Sequence, residues 1–293
     1  MEKRYAIVVD STTDLSPELA EKWGLTVIPY IFTLDGNDYY NYLDYRELSF
    51  KGFYDTLRGG KLATTTQVTP HRYLEAWEPL LKEGKDILYM CLSSELSKSY
   101  EQSIMAAKTA MELYPERKVV TIDTKSASLG QGLLAFYAAK ARDEGKSLEE
   151  NAEFINDLIP RLHHWFVPDD LHHLRRGGRL SGASAFVGSM LSIKPVLTII
   201  DTGKIVAAGK ARGWSKAFDH ILGRMDEHKF TANQTVIIAH GDSPERAKQL
   251  EDAIAAKYGA KDFIILQIGP VIGAHSGPGT VALVFIGNER AKV

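Results

Sequence analysis

FIILQIGPVIGAHSGPGTVALVFIG, residues 263–287, is an unbroken run of 25 residues without Asp, Glu, Lys or Arg. Its length would allow a single helix to span a lipid bilayer. However, two prolines, several glycines and His275 are concentrated in its middle, which is typical of a turn rather than of a membrane helix. We therefore interpret the run as two buried strands, at about 262–267 and 280–286, joined by a glycine-rich loop.

The first half of the chain alternates short apolar runs with amphipathic segments, the pattern of βαβ units in a parallel sheet. The apolar runs predict four strands that are covered on both faces: YAIVV (5–9), LTVIPYIF (25–32), DILYMCL (86–92) and KVVTID (118–123). Helices are predicted between and after them, at about 16–23, 45–58, 70–83, 98–113 and 128–144.

The second half has a different rhythm, in which strands follow one another more closely. Strands are predicted near 163–167, 193–200, 204–209 and 235–240, and helices near 148–160, 214–227 and 244–257. This change predicts an α/β protein of two α/β domains with parallel or mixed sheets, residues 1–160 and 161–293.

The composition is that of an ordinary globular protein, with 293 residues, 44% hydrophobic and 25% charged. The net charge of -2 gives no electrostatic reason to expect nucleic-acid binding. We expect at most transient contact with a membrane. The single cysteine, Cys91, cannot form an intramolecular disulfide, which fits a reducing compartment. The N-terminal MEKRYAIVVD enters a strand without room for a signal peptide, so we expect a soluble cytoplasmic protein.

Hydroxyl-rich segments follow several of the predicted strands, where open α/β sheets bind ligands. Asp10-Ser11-Thr12-Thr13-Asp14 could bind a ligand or simply cap a helix. Thr64, Thr65 and Thr66 have no evident structural task and could present hydroxyls to a cleft. The segment Ser93 to Tyr100, with Ser94 and Ser97, opens a helix whose N-terminus would suit a carboxylate or phosphate, although capping is the alternative.

Two further segments carry charged or titratable side chains. Arg175, Arg176 and Arg179 flank Gly177-Gly178 and could pair with a carboxylate, or could form a solvated basic loop. His275 lies in an apolar, glycine-rich segment, where we favour a role in a cleft over that of a core histidine.

The sequence favours neither a metal site nor a catalytic centre. The adjacent pairs among His163, His164, Asp169, Asp170, His172 and His173 diverge from one another and chelate poorly. Patterns GxSxG, GxxxxGK[ST] and strand-linked GxGxxG are absent. Serines could be combined with His275 and Asp242 into a hydrolase triad, but no local sequence pattern supports that geometry.

The polar segments occur in a fixed order that resembles the DegV family. The matching segments are DSTTDL, TTTQ, SSELSKSY, DTKSASLGQG, LRRGGRLSG and IGPVIGAHSGPG, and the resemblance runs from residue 7 to about 287. GGRLS followed by IKPVLTI, KARG and GAHSGPG is the most specific part. The chain departs from the family pattern at Lys98, usually glycine, at Ser99, usually threonine, and in its TTQVT, usually TSQPS.

The resemblance implies a DegV-like fold in which one long-chain fatty acid, such as palmitate, stearate or oleate, is buried at the domain cleft. It implies that Thr65 and Ser97 hold the carboxylate and that Arg179 and His275 join the polar network, with Thr66 and Ser94 as further ligand-binding candidates. It implies a carrier without catalytic residues, cofactor or metal. The partner would be a separate fatty-acid kinase, which phosphorylates the carboxylate.

Two other functions stay open at this point. One is a hydrolase or acyltransferase that uses Ser97 or Ser276 with His275. The other is a regulatory protein in which the lipid never leaves. Phe186, Val187, Met190 and Leu191 are candidates for the lining of an acyl tunnel, although their helical spacing suits an ordinary core equally well.

Overall fold

The computed structural model describes residues 5–169, 171–180 and 193–290. The first half contains the following strands and helices in chain order: β1 Tyr5–Asp10, α1 Pro17–Lys22, β2 Leu25–Ile28, β3 Ile31–Leu34, β4 Asn37–Tyr40, α2 Phe50–Arg58, β5 Ala63–Thr66, α3 Pro70–Lys82, β6 Asp86–Cys91, α4 Ser99–Leu113, β7 Val119–Asp123, α5 Leu129–Asp143 and α6 Leu148–Leu158. The second half continues with β8 Leu162–Val167, α7 His172–Arg176, β9 Ile193–Ile199, β10 Ile205–Arg212, α8 Gly213–Glu227, β11 Val236–His240, α9 Pro244–Tyr258, β12 Phe263–Gln267, α10 Pro270–Ser276 and β13 Val281–Ile286.

Four of the first-half strands form a parallel sheet in the order β2-β1-β6-β7. Every residue of β6 after Asp86 is buried, and β1 is nearly as well covered, as expected of strands with helices on both faces. The α/β class predicted from the apolar runs is confirmed.

A small antiparallel sheet in the order β4-β3-β5 was not predicted. The run LTVIPYIF was predicted as one strand, but it divides at Pro29 and Tyr30 into β2 and β3, which belong to different sheets. Proline has no N–H to donate to a ladder. Tyr30 instead donates its N–H to Ser11 Oγ and accepts from the Asn41 N–H. The threonine run, for which no structural task was evident, forms β5.

The second large sheet has the order β10-β9-β8-β13-β11-β12 and is mixed, since only β11 and β12 run parallel. The predicted strands at both ends of the uncharged run 263–287 are confirmed, but the segment between them is the helix α10 rather than a loop. Pro270 starts this helix and Gly277, at φ 77°, ends it. In the described residues no helix is both long enough and apolar enough to cross a membrane.

Helix α5 lies between the two large sheets and contacts β1 and β6 on one side and β8, β11 and β13 on the other. Its sequence LGQGLLAFYAAKARD is apolar on nearly every side, so most of its residues are buried. The core around it joins Ile7 and Val9 of β1 to Ile237 and Val284 of the second sheet. The change of sheet between β7 and β8 agrees with a boundary near residue 160, which stays a prediction because this core is continuous across it.

Candidate functional site

A cavity of about 390 Å³ is bounded by residues of both halves of the chain. Small-molecule pockets usually measure ~300–1,000 Å³. Most of its wall is apolar and includes Leu92, Leu96, Phe166, Leu174, Ile199 and Ile205. The cavity can therefore hold an elongated apolar group.

Thr65 and His275 meet at the wall of this cavity. Thr65 lies in β5 and His275 near the end of α10, and their atoms Oγ1 and Nε2 are 2.9 Å apart. Burial, together with the positive charges of Arg179 and Arg176, lowers the pKa of His275 to about 4. His275 is therefore neutral at physiological pH and acts as a hydrogen-bonding group rather than as a charge.

Ser97 lies in the loop between β6 and α4 and also lines the cavity. Its Oγ accepts the Ser99 N–H at 3.2 Å and donates to Ser99 Oγ at 3.1 Å. Ser99 Oγ in turn accepts the Val68 N–H at 3.0 Å, which ties this loop to the segment after β5. The hydroxyls of Thr65 and Ser97 are thus carried by two connected segments.

Arg179 places its guanidinium at the same cavity. Its Nε donates to the Leu96 carbonyl at 3.1 Å, and another of its nitrogens donates to the Gly177 carbonyl. These bonds hold a positive charge beside the loop that carries Ser97, where it can compensate the charge of a carboxylate.

The other residues predicted for the site differ in whether they line the cavity. Thr66 lines the cavity, but Ser94 does not: its hydroxyl and N–H both bond to the carboxylate of Asp123 at the end of β7. Ser94 faces this carboxylate and not the cavity because Asp123 ends β7, the strand next to β6. The tunnel candidates Phe186, Val187, Met190 and Leu191 lie outside the described residues.

Several lining residues were not predicted from the sequence as site residues, among them Tyr30, Gln67, Ser128 and His164. The sequence predicts Tyr30 within a continuous strand, where no pattern indicates a cavity residue. Ser128 adopts φ 54° and ψ -142°, a conformation rare for a residue with a side chain, and sequence gives no signal for it. The segment DTKSASLGQG, which contains Ser128 and resembles a family motif, is the sequence feature that points to this residue.

Lys98, the most evident departure from the family pattern, lies at the rim. Its side chain is 73% exposed and its Nζ pairs with Glu101 Oε1 at 3.1 Å, one turn further along α4. An exposed pair of this kind contributes little, and the ammonium group is directed along the helix surface.

The arrangement around His275 is not that of a serine hydrolase. Its Nε2 bonds to Thr65, whereas Ser97 bonds to Ser99, and among the described residues no hydrogen bond orients His275 Nδ1. A triad needs the serine bonded to the base and the base bonded to an acid. Asp242, the acid considered from sequence, pairs with Arg58. Across residues 5–169, 171–180 and 193–290, no cluster of His, Cys, Asp and Glu could hold a metal ion.

The fold and site together define an α/β protein with an apolar cavity that carries threonine, serine, arginine and histidine on its wall. The family described as "Uncharacterised protein, DegV family" matches residues 4–288, and the chain belongs to this family.

Relatives match along nearly the whole chain. A DegV domain-containing protein of Clostridium perfringens is 38% identical over 289 residues, 98% of this chain and 99% of the relative. A DegV family protein of Thermus thermophilus, whose structure is described by its fatty acid binding, superposes with a TM-score of 0.88 at 29% identity, covering 97% and 99% of the two chains. DegV of Bacillus subtilis, described as a fatty acid binding protein, gives a TM-score of 0.84 at 29% identity, covering 98% and 100%.

Proposed function

We propose that this chain is a fatty-acid-binding protein that holds one long-chain fatty acid, such as palmitate, stearate or oleate, and has no catalytic activity of its own. The observation that carries the proposal is the apolar cavity with Thr65, Ser97, Arg179 and His275 on its wall. The described fatty acid binding of the Thermus thermophilus and Bacillus subtilis relatives supports the same class of ligand.

The acyl chain provides most of the binding free energy in this proposal. Burial of a sixteen-carbon chain removes about fourteen methylenes from water at roughly 0.8 kcal/mol each, about 11 kcal/mol in total. Association and ordering of the chain offset a large part of this gain. The apolar wall thus sets affinity, while the polar side chains fix the position of the carboxylate.

The head group is bound by Thr65 and Ser97, with Thr66 beside them. Neutral His275 donates from Nε2 to Thr65 Oγ1 in this arrangement, which leaves the Thr65 hydroxyl proton free to donate to the carboxylate. Arg179 supplies the compensating positive charge. A buried carboxylate needs such partners, because its desolvation is otherwise costly.

The bound acid would serve a separate fatty-acid kinase, which transfers a phosphoryl group to the carboxylate. A carrier suits this task because it keeps the acyl chain out of water while one end stays accessible. A cytoplasmic location, where such a kinase would work, belongs to the same proposal, as does the division into a lipid-binding domain (1–160) and a second α/β domain (161–293).

Native mass spectrometry of the purified protein, combined with lipid extraction, tests the ligand class. We expect one bound acyl chain per protein, or stoichiometric uptake of added palmitate or oleate by delipidated protein. Absence of both would rule out the fatty-acid function.

Replacement of both Thr65 and Ser97 by alanine tests the head-group assignment. Each loses a hydrogen bond to a charged group, worth about 1.5–3 kcal/mol, so the two losses together should lower palmitate affinity at least about a hundredfold. Calorimetric titration would measure this, and a reconstituted kinase assay should show impaired phosphorylation of the bound acid. Ser94→Ala is the matched control, because Ser94 bonds to Asp123 away from the cavity. Wild-type affinity in the double variant would refute the assignment.

A further inference from the structure

Tyr30 occupies an unusual position on the cavity wall. It lies between β2 and β3, where the chain passes from one sheet to the other, and its side chain is only 2% exposed. Its N–H donates to Ser11 Oγ at 3.0 Å and its carbonyl accepts the Asn41 N–H at 2.8 Å. The backbone is therefore held on both sides, which fixes where Tyr30 joins the cavity wall.

The Tyr30 hydroxyl has no hydrogen-bond partner among the described residues. Burial raises the pKa of Tyr30 well above its usual value, and the hydroxyls of Ser99 and Ser97 beside it offset only part of this effect. Two neighbouring tyrosines are fully engaged, since Tyr89 donates to Asp10 at 2.9 Å and Tyr73 bonds to Tyr89 at 2.9 Å. Tyr30 is thus a protonated donor beside Ser97 and Ser99 whose proton has no acceptor of good hydrogen-bond geometry among the described residues, at a cost that a ligand could offset.

We propose that Tyr30 is a further head-group residue, whose hydroxyl donates a hydrogen bond to the fatty-acid carboxylate alongside Ser97. This inference rests on the proposed function and extends it. It assigns Tyr30 to recognition of the ionised acid, so that the protein discriminates against lipids whose head group carries no charge, such as methyl esters.

The test compares wild-type protein with Tyr30→Phe, which keeps the ring and removes only the hydroxyl. Delipidated protein is titrated with palmitate and with methyl palmitate, and the carboxyl resonance of palmitate labelled with ¹³C at that carbon is followed in the complex as a function of pH. Tyr30→Phe should bind palmitate about tenfold more weakly or worse. The pKa of the bound acid should rise, because a donor to its charged form is lost. Tyr5→Phe is the control, since Tyr5 is equally buried but its hydroxyl bonds to Lys146 and Asn151, far from the cavity.

The outcomes separate this inference from the function on which it rests. Failure of wild-type protein to bind palmitate would overturn the fatty-acid function itself. Normal binding by wild type, with Tyr30→Phe equal to it in affinity and in the titration of the bound carboxyl, would overturn only the role of Tyr30. Equal weakening toward palmitate and methyl palmitate, with an unshifted carboxyl titration, would also overturn it, because Tyr30 would then act through packing alone.

Discussion

Asp14 is a buried carboxyl group close to the cavity but not on its wall. It sits at φ 54°, and its two oxygens bond to the Gly269 N–H at 2.9 Å and to the Ser128 hydroxyl at 2.6 Å. Burial raises the pKa of Asp14 to about 8, against a usual value near 3.8. The carboxyl is therefore mostly protonated at neutral pH, and it links the loop after β1 to the starts of α5 and α10.

Asp14→Asn should flatten the pH dependence of stability between about pH 6.5 and 8. The folded pKa of Asp14 is raised, so its contribution to stability is complete at low pH and is lost as pH rises to about 8. In this window wild-type protein should lose up to ~1.4 kcal/mol of unfolding free energy per pH unit relative to the variant. Asparagine tolerates the left-handed backbone and stays neutral. Urea unfolding at pH 6.5, 7.5 and 8.5 measures the slopes, and equal slopes in the two proteins would contradict the assignment. The buried histidines also titrate in the unfolded state near the lower end of this window, but they do so equally in both proteins, so the difference between the two slopes reports Asp14.

At the residue scale, sequence predicted the side chains that stand in motif segments and missed those placed by tertiary structure. Thr65, Ser97, Arg179 and His275 all line the cavity. Ser94 stands in the same motif as Ser97, but rotates toward Asp123 because a strand from another part of the chain ends there. Tyr30 reaches the cavity because the chain breaks between two strands there, and Ser128 reaches it through a rare backbone conformation. Neither feature produces a periodic pattern of apolar residues in the sequence.

At the scale of elements, the short helices α7 and α10 pack directly against each other. Gly177 ends α7, and a side-chain carbon added there would overlap Nδ1 of His275. The close approach explains why His275 Nδ1 is enclosed without a partner in the described part of the chain, while Nε2 bonds to Thr65.

Gly177→Ala should therefore weaken fatty-acid binding by displacing His275 from Thr65. We expect at least about a tenfold loss of palmitate affinity in calorimetry, the equivalent of one lost hydrogen bond to a charged group. Gly223→Ala, in the middle of α8, is the control: no atom lies within 4 Å of the added carbon, and alanine favours a helix. Unchanged binding in Gly177→Ala would show that His275 does not need its present position.

The long helices and strands could be predicted from the sequence, and the short ones could not. The strands β1, β6 and β7 and the helices α3, α4, α8 and α9 begin and end within about two residues of their predicted limits, whereas β2 ends at Ile28 and not at residue 32 as predicted. β4, β5, α7 and α10 were missed because four to seven residues carry too little periodicity. The strand β5 reads ATTT and exists through its pairing with β3, a contact that local sequence does not encode.

At the scale of the whole molecule, the cavity belongs to neither half alone. The strand β5 and the loops after β5, β6 and β7 supply one side, while β8, β9, β10 and α10 supply the other. Both sheets also share the core around α5. A ligand that fills the cavity therefore bridges both halves, and its binding should stabilise the protein as one cooperative unit.

Thermal unfolding should report this coupling through the length of the acyl chain. A ligand at about a hundred times its Kd adds ~2.7 kcal/mol to the stability of the folded state. At roughly 2–4 °C per kcal/mol for a chain of this size, Tm should rise by about 5–10 °C. At one fixed concentration below micelle formation, the shift should grow from decanoate to palmitate, because each buried methylene adds about 0.8 kcal/mol. Differential scanning calorimetry of delipidated protein, in a single transition, measures the series.

A shift that is equal for all chain lengths would mean that only the head group is held and that the apolar wall does not receive the chain. The Thr65→Ala, Ser97→Ala double variant should keep the chain-length dependence while every shift becomes smaller, since the apolar contacts remain and the carboxylate contacts are lost.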